Sequence, residues 1–229
     1  MNKPVILLID TSLPSAFIAL AAEGEIIHIE TNDAPQEHAS FVHVAIKKVL
    51  HKAGIGIGNI QAVAVNIGPG SYTGLRVGLA TAKGICYAAN LPLIALNGLE
   101  LLAHAVINGT SEIYSQKSII IPMIDARRME VFMAGYDEKM NLIIQPKAEI
   151  LDINSFTEVE IFPHIYLTGN GAEKSKELFS FKPYRFVNIP NLYKPMSLMG
   201  LVKYKGLYFA SLNNLEPFYI KAFHDTNNS

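Results

Sequence analysis

Residues 66–89 read NIGPGSYTGLRVGLATAKGICYAA, and this stretch decides which fold the sequence predicts. The apolar run that leads into it ends at Ile67 and is typical of a buried strand. A turn follows, which we call the glycine loop, made of Gly68, Pro69, Gly70, Ser71, Tyr72, Thr73 and Gly74. Ser71 and Thr73 carry side-chain oxygens of the kind that cap helices, and the pattern after the loop is helical to about Asn90. The stretch therefore predicts a strand, a glycine turn and a helix in series.

The glycine loop has the chemistry of an anion site. Glycine allows positive φ and close approach of another group, and the first turn of a helix offers unpaired N–H groups with partial positive charge. The alternative is a tight turn that binds nothing, and the loop alone does not decide between them. Known phosphate loops do not match, because Leu75 and Arg76 stand where a Walker loop has Lys-Ser/Thr. Three residues, rather than the two of the dinucleotide fingerprint, separate Gly70 from Gly74.

Composition limits the class of protein. Of 229 residues, 50% are hydrophobic and 17% are charged, which predicts a globular protein with a sizeable core. The formal net charge of −1 argues against strong binding of nucleic acid by this chain alone. One cysteine, Cys86, lies in an apolar helical stretch and fits a reducing cytosol. With no signal peptide and no membrane-length apolar run in the sequence, we expect a cytoplasmic location and no membrane contact.

The segment GPGSYTGLRVGLATAKGICYA closely resembles the signature of the bacterial TsaB family. The resemblance covers most of the chain through weaker segments in matching order: ILLIDTS, EHASFVHVAIKKVL, IDARRMEVFMAGY, LTGNGAEK and EPFYIKAF. Members of this family are partners of TsaD, the tRNA threonylcarbamoyladenosine transferase, and both belong to the glycoprotease branch of the actin-like ATPase superfamily. The resemblance implies an α/β protein with a two-lobed actin-like (ribonuclease H-like) fold of mixed sheets flanked by helices.

The resemblance also implies a division of the chain. We expect residues 1–108 to form an N-terminal lobe that carries the dimerisation helices. Residues 109–229 would form a C-terminal lobe, whose final segment, 210–229, is expected to pack back on the first. A polar run at 109–117 suits the crossing between lobes. A second glycine turn after the strand at 165–168 leads into a predicted short helix at 172–179. This echo of the first strand, turn and helix fits the superfamily and also a common α/β unit.

One departure from the transferase bears on catalysis. TsaD binds metal through an Asn-His-x-x-x-His segment, and the matching text here begins at Asn97 with Gly98 and Leu102 at the two histidine positions. Neither residue can bind a metal. The resemblance therefore implies a non-catalytic activating subunit, with no catalytic and no metal-binding residues, that forms a heterodimer with TsaD. It further implies the TsaE ATPase as a third component, a homodimer when the chain is alone, and tRNA reached only through the complex.

The polar tip after the first strand is a candidate phosphate hairpin. In the actin-like superfamily this tip faces nucleotide phosphates, so Asp10 would hold a hydrated magnesium ion and Thr11 and Ser12 would bond phosphate. The alternative is a turn stabilised by Asp and Ser side chains. The glycine loop and Arg76 are expected to face a partner or a bound nucleotide, with Arg76 holding a phosphate or carboxylate bidentately. No cofactor is demanded, and ATP or ADP with magnesium at the partner interface stays open.

Two helical stretches, residues 36–53 and the helix after the glycine loop, are candidates for contact with a second chain. The first has a wide apolar stripe, and the second repeats small residues every four positions. The family pairs through these two helices, so the contact residues are predicted to be His38, Phe41, Val42, Ala45, Gly78, Thr81, Ala82 and Ile85. The alternative for the small residues is packing against the chain's own sheet. His38, His43 and His51 lack the i, i+4 spacing of a helical metal site.

The residues bear on two other possible functions. A stand-alone ATP-using enzyme, such as a small-molecule kinase, is allowed by Asp10 and the two glycine turns, but the sequence has no clear catalytic base for a phosphoryl acceptor. A peptidase has less support, since there is neither HEXXH nor a Gly-x-Ser-x-Gly elbow. Ser71 also has no identifiable His and Asp partners in the sequence.

Overall fold

Two five-stranded mixed sheets form the framework of the chain in the computed structural model, which describes residues 3–34, 37–109, 117–189 and 191–221. The first sheet contains β1 (Val5–Asp10), β2 (Ala16–Ala22), β3 (Glu25–Asn32), β4 (Ala62–Asn66) and β5 (Leu93–Leu96). The second contains β6 (Ser118–Asp125), β7 (Glu130–Asp137), β8 (Leu142–Ile150), β9 (His164–Thr168) and β10 (Arg185–Val187).

The two sheets have the same strand order. In the first the order is β3-β2-β1-β4-β5, and in the second it is β8-β7-β6-β9-β10. Each begins with a three-stranded antiparallel meander, after which the fourth strand pairs parallel with the first and the fifth parallel with the fourth. Both glycine turns, at 68–70 and 169–171, directly follow the fourth strand of their sheet. The predicted two-lobed α/β fold is confirmed, and the repeat extends to whole sheets.

Four helices of the described residues pack on these sheets: α1 (His38–Ala53), α2 (Tyr72–Ala89), α3 (Gly98–Gly109) and α4 (Tyr193–Lys205). The first two cover one face of the first sheet and bury a cluster that includes Leu7, Ile9 and Val63. On the other face, α3 lies between the sheets and α4 packs on β1, β3 and β5. One core cluster, with Leu8, Leu101 and Ile120 among its members, joins the two lobes.

The chain returns to the first sheet after completing the second. Gly200 of α4 packs against Leu8 and Ala64, and the Ala210 N–H donates to the Leu93 carbonyl at 2.8 Å. The division at residue 109 stays a prediction, and most of its proposed crossing, residues 110–116, lies outside the described residues. Residues 222–229 of the final segment lie outside them as well.

Two elements of the second lobe differ from what the sequence predicts. A short helix was expected at 172–179, but only a 3₁₀ turn forms, Glu173–Ser175, where Ser175 Oγ donates to the Ala172 carbonyl at 2.7 Å. Such side-chain bonds to nearby backbone compete with a regular helix. The three-residue strand β10 was not expected, since so short a run carries no periodicity. In the part of the chain that is described, no helix is long and apolar enough to cross a membrane.

Candidate functional site

The carboxyl end of β1 is a buried polar network. Asp10 Oδ1 accepts from Ser12 Oγ at 2.6 Å and from the Ser12 backbone N–H at 2.9 Å. Asn66, at the end of the neighbouring β4, donates from Nδ2 to Asp10 Oδ2 at 3.1 Å and to Ser12 Oγ at 2.9 Å. Asn66 Oδ1 in turn accepts from the Gly68 N–H at 3.0 Å. The network therefore ties the tip of the first hairpin to the glycine loop.

Burial governs the ionisation of Asp10, which is only 1% exposed. Loss of water around the carboxyl raises the pKa of Asp10, although hydrogen bonds from Ser12 and Asn66 favour the charged form. These bonds supply donors that water would otherwise provide, as buried polar groups require.

The glycine loop closes over this tip by direct backbone contact. The Ser71 N–H donates to the Ser12 carbonyl at 2.7 Å, and Thr11 Oγ1 donates to the Gly74 carbonyl at 2.6 Å. A Cβ on Gly70 would lie 2.2 Å from the Ser12 carbonyl oxygen, and one on Gly74 would lie 1.9 Å from that of Thr11. Glycine is needed at both positions because the hairpin backbone occupies the space of a side chain.

This closure bears on the candidate phosphate hairpin. Asp10, Thr11 and Ser12 are each 1% exposed, and their side chains bond within the chain. The glycine loop covers the tip, and these side chains have their hydrogen bonds inside the chain, so binding of a nucleotide phosphate or magnesium ion there stays a prediction. The geometry favours the alternative of a turn stabilised by Asp and Ser side chains.

The other end of the loop starts α2 as predicted. Ser71 is the N-cap residue, and its Oγ accepts from the Gly74 N–H at 3.2 Å. Arg76, in the next turn, is exposed, and its guanidinium lies 4.0 Å from the centre of the Tyr72 ring. Arg76 Nε donates to the hydroxyl of Tyr219, 143 positions away, at 3.1 Å. Sequence reasoning missed Tyr219, and the signal that could have found it is the tail segment EPFYIKAF.

A cleft of about 670 Å³ lies between the lobes. Its first-lobe wall includes Ser12, His38 and four residues of the glycine loop, and its second-lobe wall includes Asp125, Arg127 and Asn170. Lys174 Nζ donates to Asp125 Oδ1, and Asp125 Oδ1 accepts the Arg127 N–H at 2.9 Å. Burial works against the charge of Asp125, but these donors outweigh it, so its pKa lies below the usual range. The cleft thus presents backbone and hydroxyl groups on one side and charged groups on the other.

Several residues predicted to contact a second chain are covered by their own lobe. Val42, Ala45 and Ala82 are at most 1% exposed, and a Cβ on Gly78 would lie 2.4 Å from Thr11 Oγ1. His38 is 4% exposed, and its Nε2 lies 3.2 Å from the Pro14 carbonyl oxygen. These five residues pack inward against the first sheet and its loops in the free chain, which disfavours a direct contact, and their intermolecular role stays a prediction. Phe41, Thr81 and Ile85 are partly exposed and stay candidates.

A second row of small residues occupies the opposite side of α2. Ala80, Gly84 and Ala88 recur every four positions and are exposed, and Tyr87 beside them is 84% exposed. The neighbouring α1 exposes Val44, at 52%, on the same side of the sheet. We call these five residues, with Phe41, Thr81 and Ile85, the outer face. Sequence reasoning missed this row because it is offset from Gly78 and Ala82 by only two residues.

The positions that correspond to the metal-binding histidines of TsaD lie at the start of α3. Gly98 is buried, and a Cβ there would lie 3.3 Å from both polar atoms of the Asn66 amide. Leu102 is 3% exposed and belongs to the core that joins the lobes. Within the described ranges, no three His, Cys, Asp or Glu side chains come together as a metal site.

Two sheets of identical strand order that meet around a cleft define a protein of the actin-like ATPase fold. The solved structure of YeaZ from Pseudomonas aeruginosa has this fold, with a TM-score of 0.72 and 22% identity over 94% of this chain and 99% of that chain. The family model described as TsaD, tRNA N6-adenosine threonylcarbamoyltransferase, matches residues 27–206. The chain belongs to this family, and several of its curated relatives are proteins named TsaB.

Those relatives are named for biosynthesis rather than for transfer. The tRNA threonylcarbamoyladenosine biosynthesis protein TsaB of Haemophilus influenzae is 33% identical over 134 residues, which are 58% of this chain and 54% of that protein. The protein of the same name from Buchnera aphidicola subsp. Baizongia pistaciae is 26% identical over 224 residues, 94% of this chain and 97% of that protein. The chain spans about half the length of the first curated relatives it matches.

Proposed function

We propose that this chain is a non-catalytic activating subunit for threonylcarbamoyl modification of the tRNA adenosine beside the anticodon, and that it binds a TsaD-type transferase. Similarity to proteins named TsaB supports the pathway, and the match to the transferase family supports a shared ancestry with the partner. A role with tRNA makes a cytoplasmic location part of the same proposal.

The observation that carries the non-catalytic assignment is the packing of α3. At position 98 a Cβ would already press on the Asn66 amide that organises the hairpin tip, so an imidazole there would require that network to shift. A histidine at 102 would replace a leucine inside the core that joins the lobes. Burying an unpaired polar ring in that core would be costly.

The outer face is the surface that we assign to the partner. Its small residues allow another helix to approach closely, while Tyr87 and Val44 provide apolar area that is exposed in the free chain. The same surface would pair two copies when the chain is alone. The formal net charge of −1 supports a tRNA contact made mainly by other components, with the TsaE ATPase as the third.

A test compares Gly84→Leu with Gly58→Leu. Nothing lies within 4 Å of a Cβ at either glycine, so both variants should fold, but only Gly84 is on the outer face. TsaD from the same organism is co-purified with each chain, stoichiometry is measured by light scattering, and affinity by calorimetry. We expect Gly84→Leu to weaken binding by about five- to 150-fold, because overpacking a close contact costs roughly 1–3 kcal/mol. Gly58→Leu should bind like the unmodified chain.

Two results would contradict this proposal. Unchanged affinity of Gly84→Leu would remove the outer face as the contact surface. Absence of any complex with the unmodified chain well above micromolar concentration, with ATP and magnesium present, would remove the partner itself. The stand-alone ATP-using enzyme gains no support from the closed hairpin tip, and Ser71, the peptidase candidate, has its hydroxyl engaged in capping α2.

A further inference from the structure

Three segments singled out in the sequence meet at one place, and the proposed function leaves that meeting unexplained. They are the glycine loop with Arg76, the hairpin of β6 and β7 that contains Glu130, and the tail residues 218–221, which we call the tail strap. The tail strap has no regular secondary structure, yet each of its residues contacts an element distant in sequence.

The backbone of the tail strap lies directly on the glycine loop. The Phe218 N–H donates to the Ile67 carbonyl at 2.7 Å, which extends the hydrogen bonding of β4 beyond its last residue. The Phe218 carbonyl oxygen would be 2.9 Å from a Cβ on Gly68. Gly68 has a φ of +115°, so both its conformation and the passing tail require glycine.

The side chain of Tyr219 completes a stack on α2. Its ring centre lies 5.1 Å from that of Tyr72, and the Arg76 guanidinium covers the Tyr72 ring at 4.0 Å. Its hydroxyl accepts from Arg76 Nε at 3.1 Å. One aromatic contact, one cation–π contact and one hydrogen bond therefore fix the orientation of an otherwise exposed arginine.

The far end of the tail strap reaches the second lobe. Ile220 packs against the core cluster that joins the two sheets. Lys221 Nζ donates to Glu130 Oε1 on β7. This ion pair is partly exposed and contributes little energy by itself.

We propose that the tail strap positions the glycine loop and Arg76 and couples them to the second lobe. Phe218 and Tyr219 hold the loop in one conformation, and Ile220 and Lys221 connect that conformation to β7. Tyr219 is the main positioning residue, because it contacts both Tyr72 and Arg76. All of these contacts lie within the free chain, so they do not depend on whether TsaD is its partner.

Hydrogen–deuterium exchange of the full-length free chain tests this, with Tyr219→Ala, Tyr219→Phe and the control Tyr208→Ala. Tyr208 lies in the same tail, ten residues before the tail strap, and is 69% exposed. In Tyr219→Ala we expect amides of 68–76 to exchange about tenfold faster, the scale of one lost hydrogen bond and its packing. Amides of 126–131 should also accelerate. Tyr219→Phe should give a smaller effect in the loop, and Tyr208→Ala none.

Three outcomes would overturn the proposal. Unchanged exchange at 68–76 in Tyr219→Ala would show that the tail does not hold the loop. Acceleration in the loop with none at 126–131 would refute the coupling to the second lobe. Equal acceleration in β2 and β3, far from the tail strap, would mean general destabilisation rather than positioning.

Discussion

At the residue scale, Asp10 shows how far a residue type predicts a role. The sequence placed a carboxylate with two hydroxyl residues at a hairpin tip, and both a phosphate site and a self-bonded turn satisfied that pattern. The structure favours the self-bonded turn because of Asn66, 56 positions away, whose amide bonds both Asp10 and Ser12. A single sequence does not show that proximity, because asparagine at a strand end has many uses.

Replacing Asp10 by Asn should destabilise the fold. Asn66 Oδ1 is held by the Gly68 N–H, so its amino group must face position 10. In the variant, an asparagine whose side-chain oxygen accepts from Ser12 would point its own amino group at the amino group of Asn66. Two hydrogen-bond donors would then face each other. We expect the free energy of unfolding in urea to fall by about 1–3 kcal/mol, as for an unsatisfied buried group. The exposed Asp33→Asn control should change it by less than about 0.5 kcal/mol, and equal losses would contradict this account.

The same pair of chains reports the ionisation of Asp10. Its folded pKa lies above the unfolded value, so its favourable contribution is present below the unfolded pKa and is lost as pH rises through the folded one. Asparagine does not titrate. The stability deficit of Asp10→Asn should therefore be larger near pH 4 than at pH 7. A deficit that grows with pH would show that hydrogen bonds, not burial, dominate this carboxylate.

At the scale of the element, α2 was predicted in place and extent but not in orientation. Its two rows of small residues differ by two positions, and spacing alone does not say which row meets the sheet. The larger residues decide it, because Leu75, Leu79 and Cys86 are buried on the side of Gly78 and Ala82. That signal was present in the sequence. The failed helix at 172–179 had a weaker signal, the serine at 175, whose hydroxyl bonds the backbone carbonyl three residues earlier and competes with a regular helix.

Two glycines of this region should respond oppositely to alanine. In Gly74→Ala the new methyl would meet the Thr11 carbonyl at 1.9 Å, whereas nothing lies within 4 Å at Gly84. We expect Gly74→Ala to lower the free energy of unfolding by about 2 kcal/mol or more. Gly84→Ala should raise it by about 0.5–1 kcal/mol through helix propensity. Thermal and urea unfolding at low protein concentration measure both, and a stable Gly74→Ala would contradict the close contact.

At the scale of the whole molecule, the repeated sheets followed from the resemblance and from the echo of strand, turn and helix. The return of α4 and the tail to the first lobe did not follow from local pattern, because the contacts join residues more than 100 positions apart. Such pairings leave no periodicity in one sequence. The cleft and its charged wall were likewise not predictable from local pattern, because residues of both lobes form them.

The charge of the whole molecule predicts weak binding of tRNA by the free chain. With 19 basic and 20 acidic residues, it lacks the excess of positive charge that neutralising phosphates requires. In a filter-binding titration at physiological salt we expect a dissociation constant no tighter than about 10⁻⁴ M, the weak end of non-specific binding. Affinity should appear on addition of TsaD. Micromolar binding by the chain alone would contradict a tRNA contact made mainly by other components.

The return of the tail to the glycine loop also sets an order of events on the ribosome. Ile67 is synthesised 151 residues before Phe218, which at about 5–20 residues per second is a delay of roughly eight to thirty seconds. For most of that interval the first lobe lacks α4 over one face of its sheet, and for all of it the lobe lacks Phe218, which holds its loop. A partner that recognises the held loop therefore meets it only after Phe218 has been synthesised.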